Sequence, residues 1–126
     1  MTDRKKRGDS GEAAIARYLE ERNYQVLERQ YRCRWGEIDL IARSPEGVLC
    51  FVEVKCRSSG ALAPAREAVT ASKQRKLRAA ALCYLAQTGE DCPCRFDVAE
   101  VYTGREAGWG APIIHYIPSA FGYDSQ

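Results

Sequence analysis

The chain has 126 residues, 45% hydrophobic and 29% charged, which suits one globular domain with its own core and excludes a disordered polymer or a disulfide-dependent miniprotein. Its 19 basic and 17 acidic residues leave a formal net charge of +2, too small to identify a partner by itself. No apolar run approaches membrane-spanning length, and the basic start is not followed by an apolar stretch, so the expectation is a cytoplasmic protein with no membrane association.

The basic residues are clustered. Arg4, Lys5, Lys6 and Arg7 form one group, Arg29, Arg32 and Arg34 a second, and Arg66, Lys73, Arg75, Lys76 and Arg78 a third. Each could be an ordinary solvated face; three of them around one acidic site favour a phosphate-backbone partner. The six cysteines are expected as reduced thiols in a cytoplasmic protein. Cys50 and Cys83 lie in apolar stretches and suit a core. The Cys92-Pro93-Cys94 pair lacks a second pair at zinc-ligand spacing.

Taken in order, residues 1–8 read as a mobile basic arm, 9–117 as one α/β domain and 118–126 as a tail. A helix is predicted over Ser10–Arg22, where Asp9 and Glu12 have capping-box spacing and Ile15, Tyr18 and Leu19 repeat with helical period. Strands follow at Tyr24–Tyr31, Glu37–Arg43 and Val48–Lys55. A second helix fits Thr70–Gln87, stopped at Gly89, and strands at Arg95–Tyr102 and Ile113–Ile117 complete the chain, with residues 103–112 as a loop. The order α-β-β-β-α-β-β predicts a mixed central sheet flanked by helices.

Ser44-Pro45-Glu46-Gly47 joins the two strongest strands. Proline second and glycine fourth suit a type I turn closed by a left-handed residue, which makes a three-residue hairpin loop. Counting outward from Ser44 opposite Val48 places Asp39 opposite Glu53 and Glu37 opposite Lys55. Because strand side chains alternate, these four groups share one face above an apolar floor of Ile41 and Phe51. A ladder of ion pairs would explain Glu37 with Lys55. It would not explain two carboxylates face to face, which destabilise by roughly 0.2–1 kcal/mol. A divalent cation between them removes that penalty, and hard oxygen ligands suit magnesium or manganese. Glu12, on the helix face that meets the sheet, can join them as well as cap the helix.

Asp39 followed by Glu53-Val54-Lys55 resembles the D…(D/E)xK pattern of restriction-endonuclease-like nucleases. Further stretches, GEAAIARYL (11–19), GEIDLIAR (36–43), FVEVKCR (51–57), AVTASKQRKL (68–77) and RFDV (95–98), together resemble the YraN-like family of uncharacterised bacterial proteins. That family is similar to archaeal Holliday-junction resolvases. The resemblance implies a restriction-endonuclease-like α/β fold, with Glu12, Asp39 and Glu53 around a magnesium or manganese ion and Lys55 beside the attacking water. It implies DNA as partner, branched or junction DNA included, and allows a homodimer because a four-way junction has two-fold symmetry. One departure is Ile38, where the superfamily motif carries proline.

The second helix begins near Thr70, and its first amides favour a phosphate. Lys73 lies on the face of Leu77, Ala80 and Tyr84 and should point to the sheet end. Arg75 and Arg78 fall on other faces and could track more distant phosphates. Lys73, Arg75, Arg57 and Arg34 are the candidate nucleic-acid contacts. Trp35 could stack on a base or pack in the core, and Trp109 suits the core better. His115 on a late strand reads as structural. Besides the nuclease, two classes remain: a nucleic-acid-binding module of the same fold without turnover, and a protein-interaction scaffold with an acidic hairpin.

Overall fold

The computed structural model describes residues 2–57, 69–102 and 112–122, with side chains from Gly11 onward. The expected loop at 103–112 falls almost wholly outside the described residues, as do Arg66 and Trp109. The elements are α1 (Thr2–Glu21), β1 (Gln25–Cys33), β2 (Gly36–Arg43), β3 (Leu49–Arg57), α2 (Ala71–Thr88), β4 (Cys94–Tyr102) and β5 (Ile113–Phe121). This is the α-β-β-β-α-β-β order that the sequence predicts. The five strands form one mixed sheet in the order β1-β2-β3-β4-β5. Only β3 and β4 run parallel. Parallel neighbours need a crossover, and α2 lies in the one between them.

The two helices cover opposite faces. Ile15 and Leu19 of α1 pack with Leu40, Ala42, Cys50 and Val52. Leu77, Ala80, Ala81 and Tyr84 of α2 pack with Ile41, Leu49, Phe51, Phe96 and Val98. Neighbouring residues of β3 therefore serve different cores, which is why Leu49-Cys50-Phe51-Val52 is an unbroken apolar run with every member buried. Each fully buried aliphatic or aromatic side chain contributes roughly 1.5–3 kcal/mol over its exposed state. That makes β3 a firmly anchored platform, and the candidate site lies toward its far end.

The β2–β3 hairpin has the predicted geometry. Ser44 N–H donates to the Val48 carbonyl at 2.8 Å and Gly47 N–H to the Ser44 carbonyl at 2.9 Å. Gly47 has φ 91°, the left-handed region that closes such a loop. At the start of α2 the Thr70 hydroxyl accepts from Lys73 N–H at 3.1 Å. At its end Gly89, φ 71°, donates its N–H to the Leu85 carbonyl.

Two boundaries differ from expectation. Helix α1 begins at Thr2, because Arg4 to Arg7 are good helix formers that extend it upstream. Strand β5 continues to Phe121, through Pro118. Proline is tolerated there because β5 is an edge strand. Ser119, at φ 53°, and a register shift between Phe96 and Val98 accommodate the bend. The bend is pinned by Asp97, which is wholly buried. Its carboxylate accepts from Arg95 Nε at 3.0 Å, from Ser119 N–H at 2.9 Å and from the Tyr116 hydroxyl. Among the described residues no helix is long and apolar enough to cross a membrane.

Candidate active site

The β2–β3 ladder runs from Arg43 opposite Leu49 to Leu40 opposite Val52. One step further the count places Asp39 level with Glu53, as the hairpin predicts, but the backbone pairing has ended. In its place Asp39 Oδ2 accepts from the Val54 N–H at 2.8 Å. A side chain has taken over a donor that faces β2, and the strands part around it.

Other groups enter this gap from both layers. Glu53, almost wholly buried, has its Oε2 3.5 Å from Lys55 Nζ and 3.4 Å from Lys73 Nζ. Lys73 comes from the first turn of α2, as its helical phase predicts. Glu12, also buried, comes from α1 on the opposite layer. Its neighbour Gly11 shows how closely α1 lies on β3, since a Cβ there would meet Cys56 Sγ at 2.3 Å.

The electrostatic result is concentrated on Asp39. Burial first, and then the charge of Glu53, push its carboxyl up from 3.8 to about 8. Glu12 adds to the rise, while the Val54 N–H and Lys73 act against it. A carboxyl that resists ionisation beside two other acids is a functional-site signature. Among the described residues no three His, Cys, Asp or Glu side chains are gathered into a ready-made metal cage. The donor set still fits magnesium or manganese, because such ions take one or two carboxylates and keep waters or phosphate oxygens at their other positions.

A sequence model described as "Uncharacterised protein family UPF0102" matches residues 11–101. The chain belongs to the UPF0102 family. A UPF0102 protein of Chlorobium chlorochromatii is 47% identical over 116 residues, covering 90% of this chain and 89% of that protein. One of Geobacter metallireducens is 44% identical over 116 residues, 90% of each. One of Symbiobacterium thermophilum is 50% identical over 100 residues, 79% of this chain and 84% of that protein. The matched region of this UPF0102 chain contains Glu12, Asp39, Glu53, Lys55 and Lys73.

Several expected roles change with the geometry. Glu37 does not face Lys55. It is exposed and paired with Arg32 of β1 at 3.1 Å, because the parting of β2 from β3 leaves β1 as its nearest neighbour. Such an exposed pair contributes at most about 1 kcal/mol. Asp9 does not stand at the helix start expected of it, because α1 is already running there and Glu12 lies well inside the helix. Arg78 does not reach outward toward a phosphate. It is buried and donates to the Gly122 carbonyl at 3.2 Å, because the extended β5 carries the chain over α2. His115 stands 3.7 Å from Glu100 and edge-on to Tyr102.

Among the expected nucleic-acid contacts, Arg75 is exposed. Arg34 is exposed with its guanidinium 4.8 Å from the Trp35 ring centre. Arg57 is mostly buried, with Nε 3.1 Å from Glu100. Trp35 is 58% exposed, which removes core packing as its role. A cleft of about 480 Å³ between the β1–β2 turn and α2 is lined by Arg32, Arg34, Trp35, Glu37, Lys73 and Lys76, among others. It ends at Lys73 and so reaches the acidic centre. The turn sits hard on the helix: a Cβ on Gly36 would meet the Lys76 carbonyl oxygen at 2.8 Å. Sequence reading missed the Val54 amide and this seat. The trace of the seat is Gly36, which permits the close approach; the amide left none.

Proposed function

We propose that this protein is a magnesium- or manganese-dependent endonuclease that hydrolyses phosphodiester bonds in DNA in the cytoplasm, with branched DNA as the first substrate class to test. One observation carries the reading. Asp39 is held in the opening between β2 and β3, with Glu53, Glu12 and two lysines around it, in a setting that is unfavourable for its own charge. A purely structural ladder has no use for that arrangement.

Asp39 and Glu53 would hold the ion, with Glu12 close by. When bound, the ion supplies Lewis acidity for the phosphate and a more acidic water. The chain's own residues do the rest. The Val54 N–H fixes one oxygen of Asp39, so the carboxylate is oriented before any substrate arrives. Lys55, on the same strand face as Glu53, can orient the water or balance charge on the phosphate oxygens. Lys73 and the first amides of α2 favour a phosphate at the mouth of the site.

A second reading has an observation of its own. Both Lys55 and Lys73 address Glu53 Oε2, and two ammonium groups there compete with a cation. This favours a nucleic-acid-binding module that keeps the fold without turnover. A cleavage panel decides between them: single-stranded, duplex, flap and four-way DNA, each with magnesium, manganese or EDTA. Manganese-dependent products that vanish in Asp39→Asn support the nuclease. Salt-sensitive binding with no product on any substrate supports the module.

A further inference from the structure

The cleft beside the acidic centre carries a feature that hydrolysis alone does not use. Trp35 stands at the β1–β2 turn, 58% exposed, with the Arg34 guanidinium 4.8 Å from its ring centre. An exposed indole backed by a cation is a poor core residue and a good stacking surface. The turn is also fixed in place. Gly36 lets it seat against the Lys76 carbonyl, where even a methyl group would collide. The ring is therefore presented on a firm support. Around it the cleft has the cations Arg32, Arg34, Lys73 and Lys76 against the single acid Glu37, and Arg32 already pairs with Glu37. The surplus is positive. Lys73 belongs both to this cleft and, through its contact with Glu53, to the acidic centre.

We propose that this cleft holds an unpaired nucleotide, its base stacked on Trp35 and its flanking phosphates beside Lys73 and Lys76. The inference rests on the reading of the site as DNA-directed, and it narrows the substrate class. Bases in an intact duplex are already stacked on each other and cannot reach an indole in a cleft. A single strand, or a single-stranded arm next to a duplex, offers a free base face. Bound this way, the strand would pass from Trp35 over Lys73 toward Asp39 and Glu53. Recognition would not depend on sequence, because every base has a stacking face and the other contacts are to phosphate.

One competing occupant has to be separated. Trp35 also borders an apolar strip of α2 formed by Ala79, Leu82, Cys83 and Ala86, and a second copy of the chain could rest there. The charge of the cleft argues for the nucleic acid, since two like copies would bring two sets of cations together.

The test uses labelled DNA of one sequence in three forms: single strand, blunt duplex, and duplex with a single-stranded flap. Binding to wild type, Trp35→Ala and Trp35→Phe is followed by fluorescence anisotropy in EDTA. Sedimentation of each protein is measured alongside. Because Trp35 is exposed, both variants should fold, which circular dichroism checks. The expected result is tighter binding of the single strand and flap than of the blunt duplex. Trp35→Ala should lose about tenfold on those two forms only, and Trp35→Phe should keep most of the affinity, as expected for loss and retention of a base–aromatic stack. Unchanged binding in Trp35→Ala, or an equal loss on all three forms, overturns the proposal. So does a wild-type dimer that Trp35→Ala converts to monomer, which would assign the surface to a second copy. Adding manganese to the same mixtures separates this inference from the nuclease. Cleavage that does not depend on Trp35 overturns the inference and leaves the nuclease. Trp35-dependent binding with no cleavage supports the inference and removes the nuclease.

Discussion

Replacing Asp39 by asparagine takes a charge away from a place that resists one. Burial and the neighbouring Glu53 and Glu12 raise the Asp39 carboxyl to about 8, against an ordinary value of 3.8. Between those two pH values the folded protein keeps a proton that the unfolded chain releases. Stability must then fall as pH rises through that window, because the native state binds more protons than the unfolded state. A tenfold change in proton affinity corresponds to about 1.4 kcal/mol, so the whole window, fully realised, would amount to about 6 kcal/mol. Asp39 is only partly buried, and solvent on its open side screens part of the new charge, so we expect about 2 kcal/mol in practice. Asparagine retains an oxygen that can accept the Val54 N–H, so the variant loses the titration without losing that hydrogen bond.

The assay is urea unfolding of wild type and Asp39→Asn in EDTA, at about pH 3 and at about pH 8.5. The two proteins should have nearly equal stability at the lower pH, which lies below the ordinary carboxyl value of 3.8. At the higher pH the variant should be the more stable by about 2 kcal/mol, because wild type alone has had to ionise Asp39. Titrating groups away from this cluster are common to both proteins and cancel in the difference. Parallel pH profiles would show that Asp39 ionises normally. A variant less stable by more than about 2 kcal/mol at pH 8.5 would make Asp39 a structural acid. Either outcome refutes the reasoning.

The other predictions concern separate parts of the molecule. Manganese affinity should rise with pH from 6 to 8 and level off above, since the ion must displace the Asp39 proton; isothermal titration at several pH values checks this, and a flat profile in wild type would remove Asp39 from the ligand set. Lys55→Ala should abolish cleavage and leave DNA affinity within about twofold, whereas Arg75→Ala should weaken binding to all sequences and lower the slope of log affinity against log salt by about 1; salt-series anisotropy with parallel cleavage assays distinguishes the two. Asp97→Ala strips the half-buried Arg95 of its partner and the β5 bend of its acceptor, so it should cost about 3–5 kcal/mol in thermal or urea unfolding, and a loss under about 1 kcal/mol would mean the bend is held by something else.

The hairpin was legible because its determinants are local. Pro45 and Gly47 set the turn, the turn sets the register, and the register puts Asp39 level with Glu53 without reference to the rest of the chain. Lys73 was legible for a similar reason, as the phase of α2 fixes which side chains look at the sheet. Arg78 and Glu37 were misread because their environments are made by other segments. Nothing near Arg78 says that β5 runs on to Phe121 and lies over α2. Nothing near Glu37 says that the β2–β3 ladder stops at Leu40. Asp97 is the same case from the other side: an acid inside an apolar strand signals importance, but its partners Tyr116 and Ser119 lie on a different strand.

The end of that ladder ties the fold to the proposed chemistry. Two antiparallel strands that stayed paired would hold Asp39 and Glu53 about 4.5–5.5 Å apart at Cβ, with no room between them except for their own side chains. Here Asp39 replaces a backbone partner of Val54 and opens the sheet at its end. The opening lets Glu12 approach from α1 and Lys73 from α2, so that groups from both helical layers meet at one point of the sheet. The cost is a carboxyl that is hard to ionise, and it falls on the one residue whose charge a bound cation would restore. An arrangement made only for stability would close that gap with an apolar pair continuing from Leu40 and Val52. The chain instead ends its apolar ladder at Leu40 and Val52 and gathers three acids and two lysines beyond it, as the proposed site would need if a bound ligand completes its stability.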